Sequence, residues 1–425
     1  MGARGLVLGL AFATGLAHAE VSERRAQTSS GHAIELALIE GQSGPFADAG
    51  AAVRRNLEFA IEVINARGGV RLPDGSHPLA LRVYDSHGQT EEALVLLRAA
   101  TDAGARIVLE GNSSAVAGAL VDAINKHNAR FADTRVLFLN YSADDPALTG
   151  ERCSFWHFRF DAHSQMRMNA LTDLLAGDAR VRRVYLIDQD YVFGRDVART
   201  ARELLLRKRP DVEIVGDTLH PLGSVKDFAP YVAKIRAAGA DTVITGNWGS
   251  DLTLLVRAAR EAGLNTRFYT FFGNSLGAPA ALGEAGVGRV VAVAEWQPNS
   301  AGDASRRAVL AFRRRYPEPH DQYQILRLQV MLEMLAAAME KAGSSDVTAT
   351  ARALEGLHYS NGFHEATMRA DDHQLLQPLD VSVMEPSGSE GTAFDQEGSG
   401  YGFRTVLYLP TAATTPANQC RMVRP

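Results

Sequence analysis

The chain has 425 residues, 46% of them hydrophobic and 22% charged, a globular balance that excludes intrinsic disorder, collagen-like repeats and a disulfide-dense mini-scaffold. At roughly 150 residues per domain the length suggests two or three domains. With 44 Lys and Arg against 49 Asp and Glu, a net charge of -5 offers no positive field for phosphate backbones or acidic lipid, which argues against nucleic acid as a partner.

The N-terminus reads as a secretory leader. Arg4 supplies a positive start, Leu6 to Ala17 an apolar run, and Ala17-His18-Ala19 a small-x-small cleavage site, so residues 1–19 have the layout of a signal peptide and the mature chain is expected to begin at Glu20. The run falls short of the roughly 18 to 20 residues that span a bilayer, and no later stretch is longer without a charge. No Cys follows the cleavage site to carry a lipid. These features point to a protein free in an extracytoplasmic space, most simply a periplasm; it is read as a monomer. An oxidising compartment favours pairing of the two cysteines, Cys153 and Cys420, with two buried free thiols as the alternative, and two are too few for a structural zinc site.

After a polar stretch from Val21 to His32, strands and helices alternate. Ile34 to Ile39 reads as a strand, and Val53, Leu57, Ala60, Ile61 and Ile64 mark an amphipathic helix that Gly68-Gly69 stop. Strand Leu79 to Tyr84, helix Glu91 to Ala103, strand Arg106 to Leu109, helix Ala115 to Lys126 and strand Val136 to Asn140 follow. A second series begins with helix Ser164 to Leu175 and continues through strands Val184 to Ile187, Glu213 to Val215, Asp241 to Thr245, Arg267 to Phe271 and Val290 to Val293, with helices Phe193 to Lys208, Asp227 to Ala237 and Ser250 to Ala262 between them. This alternation predicts an α/β fold of two Rossmann-like lobes, each with a parallel sheet covered on both faces. The helical segment Ala304 to Leu357 has no strand for a third sheet and is expected to pack on an existing lobe. Strands Val381 to Met384 and Phe403 to Tyr408, around the Gly/Ser-rich loop Pro386 to Gly402, form a predicted hairpin.

The usual catalytic signatures fail. The turn after the first strand, Gly41-Gln42-Ser43-Gly44-Pro45, places Pro45 where a dinucleotide site wants a donor, and there is no phosphate loop, nucleophile elbow or zinc helix. No cofactor is expected. His157 and His163, around Arg159 and Asp161, match no metal spacing and read as surface or hinge histidines, and Asp371-Asp372-His373 reads as a solvated turn. What stands out is polar and aromatic side chains at successive strand ends, where ligands bind in open parallel sheets. Gly111-Asn112-Ser113-Ser114 leads straight into a helix and offers hydroxyls and backbone N–H groups as an anion cradle, with simple helix capping by Ser113 or Ser114 as a compatible reading. Tyr141, Ser142, Asp144 and Asp145 follow the next strand, and the second lobe contributes Asp190, Tyr191 and Phe193, then Asn247 and Trp248, then Phe271 and Phe272. Core aromatics and solvated loop acids are the competing readings for these.

Taken in order, Gly44-Pro45-Phe46-Ala47, Ile64-Asn65-Ala66-Arg67-Gly68-Gly69-Val70, Gly111-Asn112-Ser113-Ser114, Asp145-Pro146-Ala147-Leu148-Thr149, Phe193-Gly194 and Lys226-Asp227-Phe228 resemble the leucine/isoleucine/valine-binding protein group, the type I periplasmic solute-binding proteins of ABC transporters. The resemblance covers roughly residues 33 to 385. It implies two lobes joined by a three-strand hinge with crossings near Phe160, Trp296 and Ser360, hence 20–160 plus 297–359 as lobe one and 161–296 plus 360–425 as lobe two. It further implies that groups at Ser113, Ser142 and Asp144 hold the ligand's head, that Trp248 covers it, and that Tyr323 lies near another apolar contact. Two positions depart from the family: Phe272 stands where it has an ammonium-binding carboxylate, and Asp144 where it has a hydroxyl beside the ligand carboxylate. The implied partners are a small-molecule ligand and the membrane permease of an ABC transporter; the rivals are a sensor of the same fold and a hydrolase using Ser113 or Ser142, for which no His at a strand end is apparent as a base.

Overall fold

The structure, a computed structural model, describes Gly2 and residues 31–425. The expected leader, its cleavage site and Glu20 lie outside the described residues.

The first lobe takes in β1 (Ile34–Glu40), α1 (Ala47–Ala66), a hairpin of β2 (Val70–Leu72) and β3 (Gly75–His77), β4 (Leu79–Asp85), α2 (Thr90–Asp102), β5 (Ile107–Glu110), α3 (Ser114–Arg130), β6 (Leu137–Asn140) and β7 (His157–Arg159). Its five-stranded sheet has the order β4-β1-β5-β6-β7, with every pairing parallel. The apolar stripe read from the sequence is the buried face of α1, and the helix ends where Gly68 and Gly69 take φ of 101° and 74°, conformations that favour glycine.

The second lobe takes in α4 (Ser164–Ala176), β8 (Arg183–Gln189), α5 (Val192–Lys208), β9 (Glu213–His220), α6 (Ala229–Ala237), β10 (Thr242–Thr245), α7 (Gly249–Glu261), β11 (Arg267–Thr270), α8 (Ala278–Leu282) and β12 (Val290–Ala294). Side chains alternate across each strand: Val184 and Leu186 of β8 join a buried cluster with Leu171 and Val197, while Tyr185 and Ile187 join one on the opposite face with Val232 and Leu252. Both faces are therefore core, which is why these strands read as continuous apolar runs.

The chain continues through α9 (Asp303–Arg315), α10 (Leu326–Ala342) and α11 (Val347–Leu354), then a small antiparallel sheet of β13 (His358–Ser360), β14 (Glu365–Met368) and β15 (Leu375–Leu376). It ends with the hairpin β16 (Leu379–Pro386) and β17 (Tyr401–Leu409), and α12 (Thr411–Thr414). The hairpin extends the second sheet to β17-β16-β12-β11-β10-β8-β9. Met331, Leu335 and Leu354 share one core with Leu36 and Leu109, so the helical segment returns to the first sheet.

Three features differ from the sequence reading. Tyr359, Ala366, Met368 and Leu375 pack in the first lobe's core and Leu379 in the second's, so the third crossing falls between Leu376 and Leu379 rather than near Ser360, and residues 360–376 belong with lobe one. The tail also returns to lobe one, where Arg424 pairs with Glu355. The supposed surface histidines and solvated turn are interior: only Asp371 is exposed, while His157, His163, Asp372 and His373 are buried. His157 engages Leu148 O and the Asn140 amide, each at 3.1 Å, His163 caps α4, and His373 stacks on Phe158 with centroids 3.7 Å apart. Burial pushes all three imidazoles below their usual range.

Cys153 and Cys420 form a disulfide with Cα atoms 5.7 Å apart, closing 267 residue steps and fastening the tail to the loop before β7. The chain-entropy model gives such a loop roughly 5 to 6 kcal/mol, an upper figure. The double variant Cys153→Ser/Cys420→Ser is expected to lose about 2 to 5 kcal/mol in urea unfolding and to be clipped in the tail by limited proteolysis; an unchanged midpoint and an uncut tail would contradict this.

Candidate functional site

In both sheets the strand order reverses beside the first strand of the lobe, between β1 and β5 in one and between β8 and β10 in the other. Loops leaving such a switch point diverge and open a crevice at the carboxyl edge. The two crevices face each other and enclose a cavity of about 670 Å³.

Most residues singled out from the sequence line it. Asn112 and Ser114 enter after β5, Ser142 and Asp144 after β6, Tyr191 after β8, Trp248 after β10 and Phe272 after β11, and Tyr323 closes one side. Gly111 lets two of these loops meet, because a Cβ there would lie 2.6 Å from Ser142 N and from the Tyr141 ring. The Trp248 indole donates to the Tyr191 hydroxyl at 2.9 Å and stacks on Phe46 of the opposite lobe, with centroids 4.7 Å apart and planes 25° apart.

Two expected ligand contacts do not reach the cavity. Ser113 caps α3, its hydroxyl accepting from Val116 N at 3.4 Å, and its own N–H donates to Glu110 at 2.9 Å. Tyr141 turns below the sheet edge, where its hydroxyl donates to Glu40, because successive side chains after a strand point to opposite sides. Phe271 likewise is wholly buried in the second lobe's core, so of the two aromatics after β11 only Phe272 lines the cavity. In the second sheet a histidine does end a strand: His220 closes β9, but its ring is buried against Asn247 and Pro221 O, away from the cavity lining.

What sequence reading missed is the charge beneath the loops. Arg327, in the first turn of α10, donates to Tyr141 O at 2.8 Å and to Ser142 Oγ at 3.0 Å, and its guanidinium pairs with Glu295 at 3.2 Å and Asp161 at 3.0 Å. Arg167 of α4 pairs with the other Asp161 oxygen at 2.5 Å, donates to Val293 O at 2.7 Å, and lies 3.1 Å from Asp144 Oδ2. Its guanidinium also sits 5.3 Å from the Phe272 ring centroid. Asp144, which stands where the family has a hydroxyl, is thus the end of a string Asp144–Arg167–Asp161–Arg327–Glu295. Three carboxylates meet two guanidinium groups in that string. Arg159 touches none of the three, spending its donors on Gln374, Thr149 and Asp145 O. Both Asp144 oxygens, although only 1% of the residue is exposed, lack a hydrogen bond. Burial pushes this carboxyl up to about 8, over the opposing pull of Arg167.

Residues 33–390 match the family described as periplasmic binding protein. The chain is 33% identical over 420 residues to the Leu/Ile/Val-binding protein homolog 4 of Brucella melitensis, covering 97% of this chain and 98% of that one. A closed-conformation crystal structure of the leucine-, isoleucine-, valine-, threonine- and alanine-binding protein of Brucella ovis is similar with a TM-score of 0.79 at 30% identity, over 92% of this chain and 100% of that one. A branched-chain amino acid ABC transporter periplasmic ligand-binding protein of Burkholderia xenovorans shares the fold, with a TM-score of 0.70 at 18% identity over 92% of this chain and 99% of that one.

A second acidic feature lies behind the Phe46–Trp248 stack. Glu40 and Glu110, at the ends of adjacent β1 and β5, are both buried, and Glu40 accepts from Gly41 N at 2.7 Å as well as from Tyr141. Burial raises both carboxyls, Glu40 to about 7 from an ordinary 4.5. A folded state that holds its proton more tightly than the unfolded chain loses stability as pH rises between those two values. Thermal unfolding of the wild type is therefore expected to shift downward from pH 5 to pH 8, with Glu40 contributing on the order of 3 kcal/mol, and Glu40→Gln should flatten the slope. A pH dependence unaltered by Glu40→Gln would contradict the assignment.

Proposed function

The chain belongs to the periplasmic binding protein family, of the branched-chain amino acid ABC transporter type, and on that premise we propose that it captures a small solute between its lobes and delivers it to a membrane permease. Members of this family are solute-binding components of transport and not enzymes. Among the described residues no helix is long and apolar enough to cross a membrane. With the leader read over residues 1–19, that agrees with a protein exported and released into the periplasm.

The observation that carries the reading is the cavity at the two facing carboxyl edges, lined by polar loop residues and by aromatic side chains from both lobes. The floor of this cavity argues against a simple branched-chain amino acid in the family's pose. At the place where the resemblance implies a carboxylate for the ligand ammonium, Phe272 lies under the Arg167 guanidinium, which repels a cation. Asp144 does not replace that carboxylate, because both its oxygens are buried and one lies 3.1 Å from Arg167. Tyr191, Trp248 and Phe272 supply flat apolar walls for the body of the solute.

Two measurements test this reading. Calorimetry with leucine, isoleucine and valine beside aryl acids, amides and ureas is expected to show no micromolar binding of the three branched-chain amino acids, and Trp248→Ala should weaken the solute that does bind by at least ~1 kcal/mol. Deleting the gene should abolish uptake of that solute; micromolar leucine binding would overturn the ligand assignment, and undiminished uptake the transport role.

A further inference from the structure

One aromatic side chain of lobe one is buried in the core of lobe two. Phe46 lies on the turn between β1 and α1, yet only 6% of it is exposed and its ring belongs to the cluster that holds Phe193, Val197 and Trp248. Trp248 stacks on one side of the ring, and the loop after β9 passes close on another, because Gly223 has no side chain. A Cβ there would lie 3.1 Å from the Phe46 ring and 3.3 Å from Pro45, and the residue takes a φ of 63° that favours glycine.

Plug and socket are each held in shape by their own lobe. In lobe one, Pro45 opens the turn with a fixed φ, and Gly88 seats the ring from behind, where a Cβ would come within 2.6 Å of it. In lobe two, the buried Asp251 of α7 accepts from Gly223 N and from Gln189 Nε2, each at 2.8 Å, and Gln189 also donates to Trp248 O at 3.2 Å. The walls of the socket are thereby tied to one another. The void left beside the ring is about 10 Å³, room for one water at most. Phe46 is absent from the lining of the large cavity while Trp248 is part of it, so the ring backs the indole from outside the solute's space.

Separating the lobes exposes the Phe46 ring and the Trp248 face it covers to water at the same moment, a cost that opposes opening. Resting on the solute-binding reading above, in which the lobes swing about their crossings, we propose that Phe46 is a latch and a positioning residue. Plugged into lobe two, it holds the lobes closed without help from the solute and fixes Trp248 as a wall of the cavity. Entry of the solute then requires the ring to leave its socket, and its return completes capture.

The test uses no solute. Mature protein is unfolded in urea, dialysed free of small molecules and refolded, then compared by small-angle X-ray scattering and tryptophan emission with Phe46→Ser, which removes the plug, and Gly223→Val, which fills the socket. A circular dichroism melt checks that each variant folds. The wild type is expected near the radius of gyration of about 22 Å that a compact chain of this length has, with both variants larger. Their emission should shift to longer wavelength as the Trp248 indole meets water, since Trp156 and Trp296, the other two tryptophans, are buried in the core of lobe one. Equal radii and emission in wild type and Phe46→Ser overturn the proposal; should Phe46→Ser fail to fold, the same equality for Gly223→Val overturns it. An emission shift without a change in radius means that Phe46 packs on Trp248 but does not hold the lobes, and overturns the latch. Because no solute takes part, none of these results bears on the solute-binding reading, which the calorimetry decides.

Discussion

The floor of the cleft depends on five charges from separate parts of the chain, with Asp144 in the loop after β6 at one end. Asp161 lies at the first crossing between lobes, Glu295 just after β12 at the second, Arg167 in the first helix of lobe two and Arg327 on a helix that packs on lobe one. Such a string is costly to desolvate and is stable only while each member keeps its partners. Removing one partner typically costs about 3 to 5 kcal/mol by leaving a buried charge unpaired. Its effect here is positional: Arg327 pins Tyr141 O and Ser142 Oγ, and Arg167 sits against Phe272 and holds Asp144 at the end of the string. The two crossings and the binding floor are thereby one electrostatic unit.

A second connection between the lobes is apolar. Phe46 from lobe one stacks on Trp248 from lobe two, and Trp248 in turn donates to Tyr191. Together with the charged floor it gives the cavity a polar end that orients a solute and aromatic walls that bury it. Closing a hinge around a bound molecule uses such a division, because directional contacts fix one part and area burial supplies much of the affinity.

Much of this was legible in the residues. Parallel strands alternating with helices leave a strong period signal, and strand ends locate the loops, so Asn112, Ser142, Asp144, Tyr191, Trp248 and Phe272 could be found without coordinates. The failures have physical causes. Tyr141 and Ser113 lie between true cavity residues, and only backbone direction decides which neighbours face inward. The strands β7, β13, β14 and β15 have between two and four residues, too few to show a period. Arg327 is 185 positions from Ser142, on a helix whose apolar face dominates its pattern, and a long-range buried ion pair leaves no local trace. The buried histidines misread as surface groups follow from the same blindness, since β15 and the loop before it cover β7 from the far end of the chain.

The account's central claim is that one solute is held intact between the lobes, against the aromatic walls of the cavity. Native mass spectrometry of the protein released from periplasm addresses it directly, followed by denaturation and identification of the small molecule set free. The account predicts one molecule per chain, recovered chemically unchanged, with occupancy reduced in Trp248→Ala. Protein that carries no solute, a molecule recovered only as a cleaved product, or full occupancy retained in Trp248→Ala would contradict it.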